Sequence, residues 1–267
     1  MEFTPTGTAG EFYAQSEEEF DRIQLLLAER CERHRIAFQI GINHMAAQVS
    51  RSRLLRAVSL KPGAFQVILP DWFPLRIEET VAFLQKMAEL AAPVPLVLYN
   101  PPHAKVILSP SDYARVCRDV SSLVGVKVAG GDADWFDAMR RASPELSIFV
   151  PGHQLASGIR LGASGSYSNV ACLQPAGASR WYQLMQRDIH AAVQFEGRIQ
   201  RFLSDYVVPF QTRQGFSNQA LDKLLAYIGD WASVGTRLRW PYRWIPEAEA
   251  RDLRSIARKC LPELFEC

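Results

Sequence analysis

The chain has 267 residues, of which 48% are hydrophobic and 22% are charged, and its formal net charge at pH 7 is +2. Such a chain can bury one large α/β core or two smaller ones, and its near-neutral charge argues against binding to nucleic acid or to a membrane surface. No apolar run approaches the roughly 18 residues that cross a bilayer, and the five cysteines lack the spacing of a disulfide framework or a metal site, so we expect a cytoplasmic protein without a metal.

The first recognisable feature is a glycine-rich loop at residues 7–11, Gly-Thr-Ala-Gly-Glu, and a helix that begins after Ser16 follows it. Strands and helices then alternate. The predicted strands cover residues 37–42, 64–69, 94–99, 123–129, 146–150 and 165–168. The predicted helices between and after them cover residues 49–58, 77–90, 109–120, 135–141 and 154–161, with another from residue 175. This alternation is typical of parallel βαβ units.

After about residue 187 the pattern becomes entirely helical, with predicted helices at residues 189–207, 218–228 and 247–259. The connector at residues 237–244 is rich in arginine and aromatic residues. Because these residue types are enriched at protein interfaces, the connector predicts a contact with another subunit.

The predicted strand at residues 123–129 contains one lysine, Lys127, in a run of valines. Burial would disfavour the charged form of this side chain and lower its pKa from about 10.4 towards neutrality. A neutral amine is a nucleophile that attacks carbonyl groups and forms Schiff bases. The alternative is an edge strand whose lysine extends its amine to water.

Several short motifs share the order and spacing of a known family. They are residues 7–11, residues 98–102 (Leu-Tyr-Asn-Pro-Pro), residues 124–127 (Val-Gly-Val-Lys), Gly152, residues 162–168 and residues 239–242. Together they resemble the dihydrodipicolinate synthase / N-acetylneuraminate lyase family of class I aldolases. Each motif alone is a weak signal, but their common order over nearly the whole chain is a strong one.

The resemblance implies a (β/α)8 TIM-type barrel with a C-terminal helical extension. On this basis we expect the barrel at residues 1–187 and the helical extension, packed on the barrel, at residues 188–267. Only residues 1–6 precede the glycine-rich loop, so the barrel would lack most of its first βα unit in this chain. The family resemblance also implies a homo-oligomer, either a dimer or a tetramer.

The same resemblance assigns catalytic roles to three residues. Lys127 would form the Schiff base with pyruvate or another 2-oxo acid, and Tyr99 would transfer protons during the reaction. Thr8 would hydrogen-bond the Tyr99 phenol. Active sites of such barrels lie at the carboxyl ends of the strands, where Tyr99 and Lys127 are expected.

Substrate binding would involve the backbone N–H groups of Thr8 and Ala9, which would hold the substrate carboxylate. Gly152 and Tyr167 would line the pocket opposite the lysine, mostly through their backbone. The resemblance implies neither a cofactor nor a metal.

Four departures from the family pattern limit what can be carried over. Ala9 replaces a threonine, so one hydroxyl contact to the carboxylate is absent. Trp72 stands where the synthase branch has a tyrosine that relays protons, and Ala104 stands where that branch has an arginine for its aldehyde substrate, with Lys105 beside it as a loose substitute. These differences argue against the lysine-pathway synthase activity and leave the second substrate open. His153 stands where an aspartate is common, either against substrate or as a hydrogen-bonded structural histidine.

Three interpretations therefore stay open. The first is a Schiff-base lyase or aldolase, including a dehydratase of 2-oxo sugar acids, because the same enamine can expel hydroxide. The second is a non-catalytic family member with a degraded site that acts as a binding or regulatory protein. The third is a barrel enzyme of another type that binds phosphate at residues 162–165, which would leave Lys127 unexplained.

Overall fold

A computed structural model of the chain describes residues 7–266. The incomplete first βα unit that the sequence suggests for residues 1–6 lies outside the described residues. The chain forms two compact units, one up to Phe149 and one from Val150 onward.

The first unit is built from alternating helices and strands. Its elements are α1 (Glu17–His34), β1 (Gln39–Gly41), α2 (Ala47–Ala57), β2 (Ala64–Val67), α3 (Ile77–Ala91), β3 (Leu96–Tyr99), α4 (Pro110–Asp119), β4 (Leu123–Lys127), α5 (Ala133–Ala142) and β5 (Ser147–Pro151), whose last residues belong to the second unit. Neighbouring strands from β1 to β5 pair in parallel. The strand order is the order of the chain. This confirms the predicted parallel βα alternation, because an open doubly wound sheet would reverse its order at a switch point.

Local sequence signals explain where the helices begin. The Ser16 hydroxyl accepts a hydrogen bond from the Glu19 N–H, and the Glu19 carboxylate accepts one from the Ser16 N–H. The same reciprocal capping occurs at α4 between Ser109 and Asp112. Because each pair satisfies N–H groups that have no partner within the helix, the α1 boundary follows the predicted one.

Successive side chains of the strands alternate between the two faces of the sheet. Buried apolar side chains occupy alternate positions, namely Ile40, Phe65, Val67, Leu96, Leu98, Val126 and Ile148. The positions between them, which share the other face through the strand register, are Gly41, Gln66, Val97, Tyr99, Gly125, Lys127 and Phe149. Both faces are buried along β1 to β3, and the second face also carries the candidate reactive side chains Tyr99 and Lys127.

A bulge interrupts β4 and corrects the expectation that this strand is buried throughout. Leu123 pairs with Leu96, but the next pair is Gly125 with Val97, so Val124 has no partner in β3. Its side chain is 42% exposed. An extra residue in one strand is left unpaired and changes the direction of the side chains that follow.

The second unit contains the end of β5 and is mainly helical. Its elements are α6 (Leu155–Leu161), β6 (Gly165–Tyr167), α7 (Asn169–Leu173), α8 (Pro175–Arg187), α9 (Ile189–Phe202), α10 (Val208–Thr212), α11 (Asn218–Gly229), α12 (Glu247–Ala250), α13 (Leu253–Cys260) and α14 (Pro262–Phe265). The short helices α7 and α14 have too few residues to show a clear 3.6-residue period. No helix within residues 7–266 is long and apolar enough to cross a membrane.

Two predicted helices of this unit differ from the observed ones. The helix expected at residues 189–207 ends as an α-helix at Phe202 and continues as a π-helical turn, Leu203–Val207, before Pro209. The helix expected at residues 247–259 is interrupted by a turn at Arg251 and Asp252 and forms α12 and α13. Proline favours such a break at the first site because it cannot donate a backbone hydrogen bond within the helix.

Candidate active site

Lys127 and Tyr99 are the last residues of neighbouring parallel strands. They lie directly opposite each other in the register of β3 and β4, and the Asn100 N–H donates to the Lys127 carbonyl at 2.9 Å. Without the bulge at Val124, Tyr99 would face Val126. The bulge therefore places the lysine beside the tyrosine.

The side chains of these two residues are in contact. The Lys127 Nζ atom lies 3.8 Å from the centroid of the Tyr99 ring. Tyr99 is buried, and Lys127 is half-buried. The aromatic ring shields one side of the lysine amine from bulk water. The phenol of the same tyrosine is a group that can exchange protons.

Thr8 joins this pair from the glycine-rich loop. Its hydroxyl donates to the Tyr99 phenol oxygen at 3.0 Å, and this hydrogen bond is buried. The loop forms a 3₁₀ turn, Thr8–Gly10, which ends at Glu11 in a left-handed conformation with φ of 57°. The structure thus brings together Thr8, Tyr99 and Lys127, although 91 residues separate the first two.

Arg53 holds the glycine-rich loop from α2. Its side chain is fully buried, and its Nη1 atom donates to the Phe12 carbonyl at 3.5 Å and to the Asn43 carbonyl at 2.6 Å. The other face of the guanidinium donates to the Glu17 carboxylate at 2.8 and 2.9 Å. One buried cation therefore links the loop, the end of β1 and the first turn of α1.

Asn100, which belongs to the motif at residues 98–102, holds the loop after β3 through its side-chain amide. Its amide donates to the Val106 carbonyl at 2.7 Å and accepts from the Leu108 N–H at 2.9 Å. The Tyr113 hydroxyl also donates to it at 3.2 Å. Burial above all, with the charges of nearby Cys117 and Asp112, raises the pKa of Tyr113, so this phenol stays protonated as a donor. The amide fixes the loop that follows Tyr99.

Gln66 on β2 is a polar residue of this region that the sequence analysis does not single out. It lies on the same sheet face as Tyr99 and Lys127, and its side chain is fully buried. The Asn43 amide donates to Gln66 Oε1 at 3.1 Å. The available signal was a single glutamine in the middle of an otherwise apolar predicted strand.

Gly152 and Tyr167 lie in the second unit. A Cβ atom on Gly152 would lie 2.2 Å from the Ser168 hydroxyl oxygen, so only glycine fits against the residue that follows Tyr167. The His153 N–H donates to the Asn169 side-chain oxygen at 3.1 Å, and its ring contacts the same amide. These contacts favour a hydrogen-bonded structural histidine at position 153.

Trp72 stands at one of the positions where the synthase pattern is absent. Trp72 is 88% exposed, and the Lys105 amine donates to its backbone carbonyl at 2.7 Å while also lying over its ring. Lys105 is therefore engaged by the tryptophan segment.

Within residues 7–266, no group of three or more histidine, cysteine, aspartate or glutamate side chains is arranged to hold a metal ion.

A cavity of about 430 Å³ lies in the second unit, lined by side chains that include Trp181, Phe195 and Arg198. None of the predicted site residues lines it. The Lys127 cluster itself offers an amine, a phenol and a hydroxyl.

The sequence of this chain is similar to one family model and to curated proteins of related description. A family model described as the dihydrodipicolinate synthetase family matches residues 3–208. The N-acetylneuraminate lyase of Citrobacter koseri is 20% identical over 269 residues, which cover 96% of this chain and 84% of that protein.

Two solved structures are similar in three dimensions. One is a prophage protein of the dihydrodipicolinic acid synthase family from E. coli K12 in complex with pyruvate, with a TM-score of 0.82 and 18% identity over 97% of this chain and 86% of that one. The other is a catalytic lysine mutant of the sialic acid aldolase of Ruminococcus gnavus, with a TM-score of 0.81 and 17% identity over 97% and 84%. At these identities the two structures establish a shared fold alone.

Proposed function

This chain belongs to the dihydrodipicolinate synthetase family, and on that premise we propose that it is a class I aldolase-type lyase. In this proposal Lys127 forms a Schiff base with pyruvate or another 2-oxo acid. The observation that supports it most directly is the position of the Lys127 amine, 3.8 Å from the centre of the Tyr99 ring. The hydrogen bond from Thr8 to the Tyr99 phenol supports it further.

The reaction begins when the neutral Lys127 amine attacks the keto carbon and forms a carbinolamine. Loss of the hydroxyl group as water, with a proton delivered to it, produces an iminium ion. The iminium then accepts the electron pair of an adjacent bond and becomes an enamine. Either C3 gives up a proton to a base, or the C3–C4 bond breaks while the C4 hydroxyl gives up its proton and C4 leaves as an aldehyde. Reprotonation and hydrolysis then release the 2-oxo acid and regenerate the amine.

Tyr99 is the proton carrier in this scheme. Its phenol would deliver a proton to the departing hydroxyl and would act in the proton transfers of the aldol step. Thr8 would orient the phenol through the hydrogen bond at 3.0 Å. The backbone N–H groups of Thr8 and Ala9 would hold the substrate carboxylate, while Gly152 and Tyr167 would line the opposite side of the pocket.

The relatives favour a 2-oxo acid substrate. N-acetylneuraminate lyases align with 96% of this chain, and the E. coli K12 protein of the same fold binds pyruvate. We therefore propose aldol cleavage or condensation, with dehydration of a 2-oxo sugar acid as a variant of the same enamine chemistry.

A non-catalytic binding or regulatory protein is the second candidate function. Its support is the loss of two groups, the hydroxyl at Ala9 and the phenol at Trp72. Retention of Thr8, Tyr99 and Lys127 in one cluster argues against it.

Trapping with borohydride separates the two candidates. Incubation with pyruvate and sodium borohydride should attach pyruvate, less one oxygen atom, to the Lys127 peptide in a mass map. Lys127→Arg should fold but fail to trap pyruvate, because a guanidinium stays protonated and forms no imine. Lys86→Arg, at an exposed lysine paired with Glu89, is the matched control and should trap normally. Wild-type protein that traps no pyruvate, or trapping that survives in Lys127→Arg, would overturn the proposed function.

Four finer features belong to the same proposal. We propose a (β/α)8 barrel as the complete architecture to which the observed strands contribute, and a division near residue 187 between barrel and helical extension. We also propose a homo-oligomer of two or four subunits and a cytoplasmic location.

A further inference from the structure

Lys127 lies between two aromatic residues on one face of the sheet. In the strand register it is directly opposite Tyr99 of β3 on one side and Phe149 of β5 on the other. Its amine lies 3.8 Å from the centroid of the Tyr99 ring, so the lysine side chain leans toward β3. Neighbouring strands are only roughly 4.8 Å apart, so the space on the β5 side of Lys127 is within reach of the same side chain.

The ring of Phe149 lies across β4 next to this lysine. A Cβ atom built on Gly125 would lie 2.9 Å from Phe149 Cε2 and 3.3 Å from the Ser147 carbonyl oxygen. Gly125 precedes Lys127 by two residues and shares its face of the sheet, so the ring occupies the place that a side chain at position 125 would take. The glycine of the Val-Gly-Val-Lys motif therefore makes room for the Phe149 ring.

A lysine side chain needs contacts on more than one side to stay in one place. It is long and flexible, and it loses conformational entropy when it is held in a single rotamer. The Tyr99 ring attracts the amine, but it does not block the rotamers that lead away from it toward β5. The Phe149 ring blocks them sterically, because two side chains cannot occupy the same space above Gly125.

We propose that Phe149 is a positioning residue of the Schiff-base reaction. Its ring, which lies across Gly125, closes the space on the β5 side of Lys127 and keeps the lysine amine at Tyr99. The inference rests on the proposed function, in which Lys127 is the nucleophile. Phe149 acts through the lysine and has no chemical role of its own.

This role has a specific consequence for the kinetics. The imine forms efficiently only when Nζ reaches the keto carbon while the Tyr99 phenol is near enough to protonate the departing hydroxyl. A lysine rotamer that points toward β5 would separate the amine from that phenol. The groups assigned to the substrate carboxylate are N–H groups of the glycine-rich loop. Loss of the Phe149 ring should therefore lower the maximal rate and leave the binding of pyruvate nearly unchanged.

The test measures how fast the methyl protons of pyruvate exchange with D₂O, by NMR, at a series of pyruvate concentrations. In Phe149→Ala the maximal exchange rate should fall roughly 10- to 100-fold, as expected for a misplaced nucleophile. The half-saturating pyruvate concentration should change by less than about 3-fold. Phe149→Leu keeps an apolar side chain over Gly125 and should restore the maximal rate to within about 3-fold of the wild type.

A second variant tests the contact itself. Gly125→Ala places a Cβ atom against the Phe149 ring and displaces it from β4, so this variant should also lower the maximal rate. In the Phe149→Ala background the same change should lower the rate by less than about 3-fold further, because the displaced ring is already absent. Ile148→Val is the matched control, since Ile148 is buried on the opposite face of β5. It should exchange the methyl protons at the wild-type rate.

The outcomes distinguish the two levels of inference. If the wild type exchanges the methyl protons and Phe149→Ala does so at an unchanged maximal rate, the role of Phe149 is overturned and the Schiff-base function stands. A loss that appears mainly in the half-saturating concentration would also overturn it, since it indicates a substrate contact. So would an equal loss in Ile148→Val, which indicates a general defect of the sheet. A wild type that neither exchanges the protons nor traps pyruvate with borohydride would overturn both inferences.

Discussion

Two of the contacts that Tyr99 makes serve different purposes. Its phenol oxygen accepts a hydrogen bond from Thr8, while the face of its ring lies against the Lys127 amine. The first contact orients the hydroxyl, and the second packs the lysine side chain. Removing the hydroxyl alone should therefore affect proton transfer without removing the packing.

Tyr99→Phe should bind a 2-oxo acid but catalyse proton transfer roughly 10²- to 10⁴-fold more slowly, as is typical when a proton-transfer group is lost. The rate at which the methyl protons of pyruvate exchange with D₂O, followed by NMR, measures enamine formation without a second substrate. Borohydride trapping in the same variant reports binding separately.

Tyr182→Phe is the control for this experiment, because Tyr182 lies on α8 and is 43% exposed. It should exchange the methyl protons at the wild-type rate. An exchange rate in Tyr99→Phe within about 3-fold of the wild type would rule out the general acid–base role that we assign to this phenol.

At the scale of the elements, the helices α1 and α2 meet at the Arg53 guanidinium. This contact supports the candidate active site. The Arg53 side chain is 1% exposed, and its ion-pair partner Glu17, in the first turn of α1, is 43% exposed. Arg56 on α2 also pairs with Glu17. This cluster fixes the Phe12 and Asn43 carbonyls, so it supports the loop that carries Thr8.

The Glu17 carboxylate makes the stability of this cluster depend on pH. Burial alone would raise the pKa of Glu17, but the hydrogen bonds and positive charges of Arg53 and Arg56 outweigh it and hold the pKa below its usual value of 4.5. A lowered pKa in the folded state stabilises the protein above the unfolded pKa. That contribution is lost as the pH falls through the folded pKa.

Glu17→Gln should therefore lower the free energy of unfolding by about 1 kcal/mol at pH 7, because the buried guanidinium loses a charged acceptor and keeps a neutral one. This decrease in the free energy of unfolding is smaller than for a fully buried ion pair because the Glu17 side chain is 43% exposed. Urea unfolding at a series of pH values should show this difference shrinking below about pH 4.5, where the wild-type carboxylate becomes protonated.

Glu78→Gln is the matched control, since Glu78 pairs with Arg115 at a site where both side chains are exposed. Its effect on unfolding should be smaller than that of Glu17→Gln. A difference between wild type and Glu17→Gln that is constant from pH 7 to pH 3 would contradict the charge-based explanation.

At the scale of the whole molecule, the proposed self-association would use exposed aromatic residues. In the second unit, Trp240 is 89% exposed and Trp244 is 43% exposed, within the arginine-rich segment at residues 237–244. The Arg237 guanidinium lies 5.6 Å from the centre of the Trp244 ring. Large exposed aromatic side chains next to arginines are typical of protein interfaces.

We expect a dimer or tetramer in sedimentation velocity at micromolar concentration. Trp240→Ala should raise the dissociation constant at least roughly 10-fold, as for a central aromatic residue of an interface. Leu55→Ala, at an apolar side chain of α2 that is 44% exposed, should leave the association unchanged. A monomeric wild-type protein at micromolar concentration would contradict this prediction.

Much of the fold and part of the site follow from local sequence. The capping pair of Ser16 and Glu19, the β-branched runs and the helical periods each depend on residues close together in the chain, so they predict the elements well. Tyr99 ends one predicted strand and Lys127 lies near the carboxyl end of the next, and parallel strands bring such positions to one edge. The family resemblance adds Thr8, and the observed hydrogen bond between Thr8 and Tyr99 agrees with that expectation.

Only the tertiary structure decides the rest, because those features depend on contacts between residues far apart in the chain. The bulge at Val124 selects Lys127 rather than Val126 as the neighbour of Tyr99, and strand periodicity contains no signal for that shift. Arg53 reads as a surface residue of an amphipathic helix, yet it is fully buried against Phe12 and Glu17, 41 and 36 residues away. Gln66 reads as one polar residue in an apolar strand. Its hydrogen bond with Asn43 depends on a contact between β2 and the segment after β1 that local sequence does not contain.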